Sequence, residues 1–183
     1  MGGLKQPLLA ACILALMAGT ARADDKEKTI DCGETDLKIE SSGYTSKCYD
    51  LSDATLNVDT TFAARKTYEL FAVSDADLTL IDVIDNRDLG NIYLLRRGLD
   101  TDIGSYFNVA VANWKATSGA SGFEAAEFDG GPKNRQPLQC VAFRRPVTLR
   151  GPGYGRVVVG VACAAGNRKQ AYDAIAHLQA PGR

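Results

Sequence analysis

The sequence is poor in the residues that usually form catalytic sites. Among 183 residues it has one histidine, His177, so a histidine-activated nucleophile has only one possible base. His177 stands near the end of a predicted helix, where we expect it at the surface. Ser121 lies in the segment 119–123, which lacks the last glycine of a Gly-x-Ser-x-Gly elbow and precedes a predicted strand. We therefore expect no catalytic residues of the nucleophilic type.

Metal-binding and phosphate-binding patterns are also missing. No two cysteines are as close as in Cys-x-x-Cys, the spacing typical of zinc sites. The nearest approach to a calcium loop comprises Asp82, Asp85, Asp88 and Asn91. There Arg87 replaces an oxygen ligand and the bidentate glutamate is absent. The glycine-rich segment 151–155 joins two predicted strands, whereas a phosphate cradle precedes a helix. We expect no metal and no cofactor.

The apolar run near the N-terminus is too short to span a bilayer, which needs about 20 residues. It extends from Pro7 to Gly19, follows Lys5 and precedes the segment Ala21-Arg22-Ala23, which has small residues at both ends. This order is typical of a secretory signal peptide, so we expect residues 1–23 to be removed. The mature chain would then be periplasmic or secreted, without a transmembrane segment. A lipoprotein signal is the alternative, because Leu9–Cys12 resembles a lipobox, and the mass of the mature protein distinguishes the two.

Four cysteines remain after residue 23, namely Cys32, Cys48, Cys140 and Cys163. An even number behind an export signal favours disulfides, and four cysteines permit three pairings. We favour Cys32 with Cys48 and Cys140 with Cys163, because each pair brackets one local reversal of the chain. Each bridge would close a loop of about 15 to 25 residues and stabilise the fold by about 3 kcal/mol.

A β-hairpin is predicted from two apolar runs, 138–149 and 157–164, joined by a segment with three glycines and one proline. If its turn is centred between Gly151 and Pro152, Cys140 lies directly opposite Cys163. Opposed residues of antiparallel strands are close enough for a disulfide.

The same register pairs residues inside the hairpin. It sets Phe143 opposite Gly160, so that the phenylalanine ring would pack over the glycine. It also sets Ala142 opposite Val161, a small residue against a larger one. The register can therefore be checked at positions other than the cysteines.

The remaining strands follow from shorter patterns. Leu37–Glu40 and Tyr44–Leu51 suggest a small hairpin closed by the first disulfide. Thr67–Val73, Leu78–Ile84 and Asn91–Arg96 suggest a three-stranded meander with short polar loops.

Two helices and one further strand complete the prediction. The first helix has one apolar face, formed by Ile103, Phe107, Ala110, Val111 and Trp114, and Asp100 or Thr101 can cap it. A strand is the alternative there, since alternate residues from Phe107 are also apolar. Phe123–Phe128 is predicted as a strand. The last helix is capped by Asn167 and extends to about Gln179.

These elements predict one α+β domain over residues 24–183, a mostly antiparallel sheet with one or two helices packed on it and two disulfides. The order of elements resembles the small α+β layout of Mog1 and PsbP-like domains. The resemblance is strongest over Ile103–Leu178 and rests on Trp114, Phe128 and the terminal Tyr172–Leu178 helix. It implies a binding or assembly module without catalysis.

The charges are distributed unevenly. Residues 24–131 carry 21 acidic and 10 basic side chains, whereas residues 132–183 carry one acidic and nine basic side chains. Either the two parts neutralise each other in the fold, or the basic part meets an anionic partner. The candidate binding surface consists of Arg144, Arg145, Arg150 and Arg156. For an exported protein we expect an acidic envelope component or a partner protein, and no nucleic acid.

The leading hypothesis is an exported binding module without a catalytic constellation. The alternative is a hydrolase whose carboxylates are brought together only by the fold. Glu124 with Glu127, and Asp82 with Asp85, would point to opposite faces of their strands, so neither pair forms a convincing dyad.

Overall fold

The computed structural model describes residues 28–52, 64–89, 98–107, 109–130, 137–150 and 153–181. The strands within these ranges are β1 (Lys28–Ile30), β2 (Lys38–Ile39), β3 (Thr45–Asp50), β4 (Ala64–Ser74), β5 (Thr79–Leu89), β6 (Ala112–Ala116), β7 (Glu124–Gly130), β8 (Leu138–Arg150), β9 (Gly153–Ala164) and β10 (Leu178–Gln179). The helices are α1 (Leu99–Tyr106) and α2 (Arg168–His177), and a short 3₁₀ turn spans Cys32–Glu34.

Eight of the strands form one antiparallel sheet in the order β1-β3-β4-β5-β9-β8-β7-β6. The two shortest strands, β2 and β10, pair separately. The predicted mostly antiparallel sheet is therefore confirmed, and the two helices are consistent with an α+β fold.

The central strands are buried on both faces of this sheet. Since successive strand residues point to opposite sides, Leu80 and Ile84 pack with Ile103 of α1, whereas Ile81 and Val83 share the other core with α2. Burial on both sides explains why β9 has no polar side chain except Cys163 between Val157 and Ala164, because neither face of that stretch meets water.

The register predicted for the β8–β9 hairpin is confirmed. Cys140 pairs with Cys163 and Phe143 with Gly160, and the cysteines are joined by a disulfide. The strands continue further than expected, to Arg150 and from Gly153, so that Arg156 lies within β9 and not in the loop. Backbone pairing between β8 and β9 continues to Arg150 and Gly153. The glycine-rich composition around Gly153 and Gly155 had favoured a loop there.

Pro146 explains where the pairing between β7 and β8 stops. The short Cα–Cα distance of 4.1 Å at Cys140–Cys163 is that of a non-hydrogen-bonded pair, so even-numbered residues of β8 direct their amides toward β7. Pro146 has no amide hydrogen to offer there. Accordingly, the β7–β8 ladder stops at Glu124 and Arg144.

The helix predicted through Trp114 is wrong beyond Tyr106. Phe107 already has an extended backbone, and Ala112–Ala116 forms the strand β6. Gly98, not Asp100 or Thr101, occupies the N-cap position. The ring of Trp114 stacks on Phe128 at 5.8 Å, a contact that requires β6 beside β7. The apolar pattern of this segment fits both a helix and a strand, and pairing with β7 makes it a strand.

The predicted hairpin between Leu37–Glu40 and Tyr44–Leu51 is also wrong, although its disulfide, Cys32–Cys48, is confirmed. Strand β3 pairs instead with β1 and β4. Strand β2 pairs with β10, and the buried Leu37 and Leu178 share one core there. For the same reason α2 ends at His177, two residues before the predicted end, because Leu178 and Gln179 form β10.

The other predicted elements differ mainly in length. Strands β4 and β5 extend the predicted runs, and Asn86, Arg87 and Leu89, which lie beyond the predicted end at Ile84, pair with β4. The third meander strand, Asn91–Arg96, lies outside the described residues. The strand predicted as Phe123–Phe128 is β7, and Asn167 caps α2 through a capping box with Gln170, as predicted.

Candidate functional site

Within the described residues, several arginines of the basic C-terminal part pair with carboxylates of the acidic part. Three of its arginines each contact two carboxylates of the acidic part. They are Arg144 with Asp102 and Glu124, Arg156 with Asp36 and Asp85, and Arg168 with Glu127 and Asp129. Of the two explanations for the uneven charge, neutralisation within the fold holds for these arginines.

Arg144 lies in the interior. Its side chain is 2% exposed, and its Nη1 donates to Asp102 Oδ2 at 2.6 Å across the interface between β8 and α1. Its Nε and Nη2 donate to Glu124 Oε2 at 3.0 and 2.6 Å. The structure therefore places Arg144 beneath α1 and not on the predicted binding surface.

Arg145 contacts a different part of the chain. The guanidinium of Arg145 lies 4.2 Å from the centre of the Phe123 ring and donates to the carbonyl of Ala180 at 2.9 Å. These contacts fasten the chain after β10 to β8. Arg150 ends β8, and its side chain lies outside the described residues.

Arg156 belongs to a more organised arrangement with Arg87 on the adjacent strand β5. The two arginines share the carboxylate of Asp85, which is fully buried. Arg156 binds it bidentately, with Nε to Oδ1 at 2.8 Å and Nη2 to Oδ2 at 2.6 Å. Arg87 Nε donates to the same Oδ2 at 2.8 Å. Asp85 thus holds both guanidinium groups in fixed positions.

The outer side of this arrangement is closed by Asp36, from the loop before β2. Its Oδ2 lies 2.8 Å from Arg156 Nη2 and 3.4 Å from Arg87 Nη2. The hydrogen bond from Arg156 is the main reason that the pKa of Asp36 lies below its ordinary value, and the charges of both arginines add to it against the effect of burial. Asp36 is 56% exposed, so it is the most exposed member of the site.

Tyr68 supports the site from β4. Its ring lies under the Arg87 guanidinium, 4.4 Å from ring centre to Cζ, a distance typical of a cation–π contact. Tyr68 pairs with Asp85 in the β4–β5 register, so three neighbouring strands position the two arginines. We name Arg87, Arg156, Asp85 and Asp36 the paired-arginine site.

Of this site, the sequence indicated only Arg156 as a binding residue. Asp85 and Arg87, at i and i+2 on one strand, share a face. That spacing was a usable signal. Asp36 had no such signal, because it reaches the site from a loop far away in sequence.

A second polar group lies on the opposite face of the sheet. Glu69 pairs with Ile84 and Asp82 with Phe71, so the two carboxylates are diagonal neighbours on β4 and β5. Both residues are 2% exposed. As predicted, Asp82 and Asp85 point to opposite faces of the sheet. The carboxylate that shares a face with Asp82 is that of Glu69, a residue that the sequence did not indicate as a partner.

Comparisons with protein-family models, curated proteins and solved structures found no match. Within the described ranges, no helix has the length and apolar character needed to cross a membrane. The same residues contain no group of three or more histidine, cysteine or acidic side chains arranged to hold a metal ion.

Proposed function

We propose that this protein is an exported binding or assembly module that holds an acidic component of the cell envelope. Export is inferred from the N-terminal signal pattern, and the two disulfides are consistent with an oxidising compartment. The paired-arginine site is the proposed point of contact.

One observation carries the proposal: a buried carboxylate holds two arginines of adjacent strands so that both face the same exposed oxygen. Arg87 and Arg156 are 20% and 17% exposed, and Asp85 is fully enclosed. Asp85 can neutralise only one of the two positive charges, and the other is balanced by the exposed Asp36. Guanidinium groups oriented in this way are suited to carboxylate or phosphate oxygens.

Photo-crosslinking in the native envelope tests the proposal. A photoreactive residue in place of Lys66, which is exposed and lies opposite Arg87 on β4, should form adducts with an anionic envelope component. The same residue at Lys169 on α2, whose side chain is 80% exposed, is the control. Adducts of equal amount at both positions would contradict the proposal, and a protein adduct specific to Lys66 would identify a protein partner instead.

The alternative, a carboxylate-dependent hydrolase, is favoured by Glu69 and Asp82, which the fold brings to one face. Two carboxyl groups on opposite sides of a scissile bond are the requirement of glycoside hydrolysis. However, both side chains are almost completely enclosed, whereas a substrate bond must reach them. The binding module is therefore preferred, and loss of glycan hydrolysis in Glu69→Gln would reverse that preference.

A further inference from the structure

Within the paired-arginine site, Asp36 contacts Arg87 and Arg156 in the way that an external anion would. It is more than half exposed and belongs to a loop, whereas Asp85 is buried within a strand. Both arginines face the same atom of Asp36, Oδ2. An anionic oxygen of the same chain thus marks the position where an oxygen of a ligand would bind.

The site is incompletely satisfied by this occupant. Among the described residues, Arg87 Nη2 is buried and has no hydrogen-bond acceptor, and its distance of 3.4 Å from Asp36 Oδ2 is that of an ion pair. A buried donor without an acceptor is unfavourable. A group with several oxygens on one centre can serve Arg156 and Arg87 with separate atoms, which the single oxygen of Asp36 does not do.

We propose that Arg87 and Arg156 form a phosphate-binding site that Asp36 keeps closed, and that a phosphate group binds by displacing the Asp36 carboxylate. The inference rests on the proposed function, since it names the ligand chemistry and the control of the same site. Free phosphate and the phosphate of a lipid headgroup share this chemistry.

The test compares two neutralising substitutions of matched exposed carboxylates. Asp36→Asn opens the site, while Asp173→Asn removes an equal charge from the pair with Lys169, where the carboxylate is 53% exposed. Binding of inorganic phosphate is measured by calorimetry, and binding to phosphatidylglycerol vesicles by co-sedimentation, with phosphatidylcholine vesicles as the neutral reference. Asp36→Asn should bind about three- to fivefold more tightly than wild type, the range expected when an exposed ion pair no longer competes.

A second variant shows whether the gain comes from the site. Arg87→Gln added to Asp36→Asn should abolish it, and the fold should survive because Asp85 keeps both hydrogen bonds from Arg156. A gain for vesicles alone identifies a lipid headgroup, and a gain for inorganic phosphate as well identifies a general phosphate site. No gain, or an equal gain in Asp173→Asn, would overturn the inference. Envelope adducts at Lys66 would still stand in that case, so the two failures are distinguishable.

Discussion

Replacing Gly160 by alanine tests the packing at the centre of the β8–β9 hairpin. A Cβ atom at this position would lie 2.8 Å from the backbone oxygen of Asp82 and equally close to Cε2 of Phe143. The ring can turn only within a filled core, and the backbone oxygen belongs to the adjacent strand β5. Overpacking of this kind costs about 1 to 3 kcal/mol, and contact with backbone favours the upper end.

Thermal unfolding of the oxidised protein measures the effect. A loss of about 3 kcal/mol should lower Tm by about 6 to 12 °C for a chain of this size. Gly104→Ala is the control: a Cβ there meets nothing within 4 Å, so the substitution should leave stability unchanged or raise it by up to about 1 kcal/mol through helix propensity. A Gly160→Ala protein as stable as wild type would refute the contact between Gly160 and Phe143.

Three further predictions concern charges and caps. Asp102→Asn should destabilise the protein by about 3 kcal/mol in urea unfolding, because it breaks the buried pair with Arg144; an unchanged midpoint would show that this pair is not needed to hold α1. The pKa of Asp36 is lower in the folded than in the unfolded chain, so its contribution is complete above its ordinary pKa and is lost as pH falls through the folded value. Wild type should therefore lose more stability than Asp36→Asn below about pH 4, and parallel pH profiles would contradict this. Asn167→Ala should cost about 1 kcal/mol by removing the side-chain cap of α2, and a loss within error of zero would show that the cap is dispensable.

The hairpin could be predicted because its constraints are local. One turn centre set the pairing of Cys140 with Cys163 and of Phe143 with Gly160 at once, and all four positions are near in sequence. The cap at Asn167 was predictable for the same reason, since a capping box spans only four residues.

The elements that sequence reasoning missed depend on distant partners. The segment after Tyr106 becomes strand β6 because β7 pairs with it, and β2 finds its partner in β10 near the end of the chain. The paired-arginine site joins a loop, β5 and β9 in the same way. Local periodicity contains no information about contacts between distant segments, and the charge distribution indicated only Arg156 of this site as a binding residue.

The central claim is that an anionic ligand binds at Arg87 and Arg156. The most direct measurement is NMR of the arginine Nε–Hε resonances while phosphatidylglycerol headgroup analogues, such as glycerol phosphate, are added to the protein. The resonances of Arg87 and Arg156 should shift, because these side chains are 20% and 17% exposed and face the exposed Asp36. That of Arg144 should not, because its side chain is only 2% exposed. Unmoved resonances of Arg87 and Arg156, or equal shifts at Arg144, would contradict the claim.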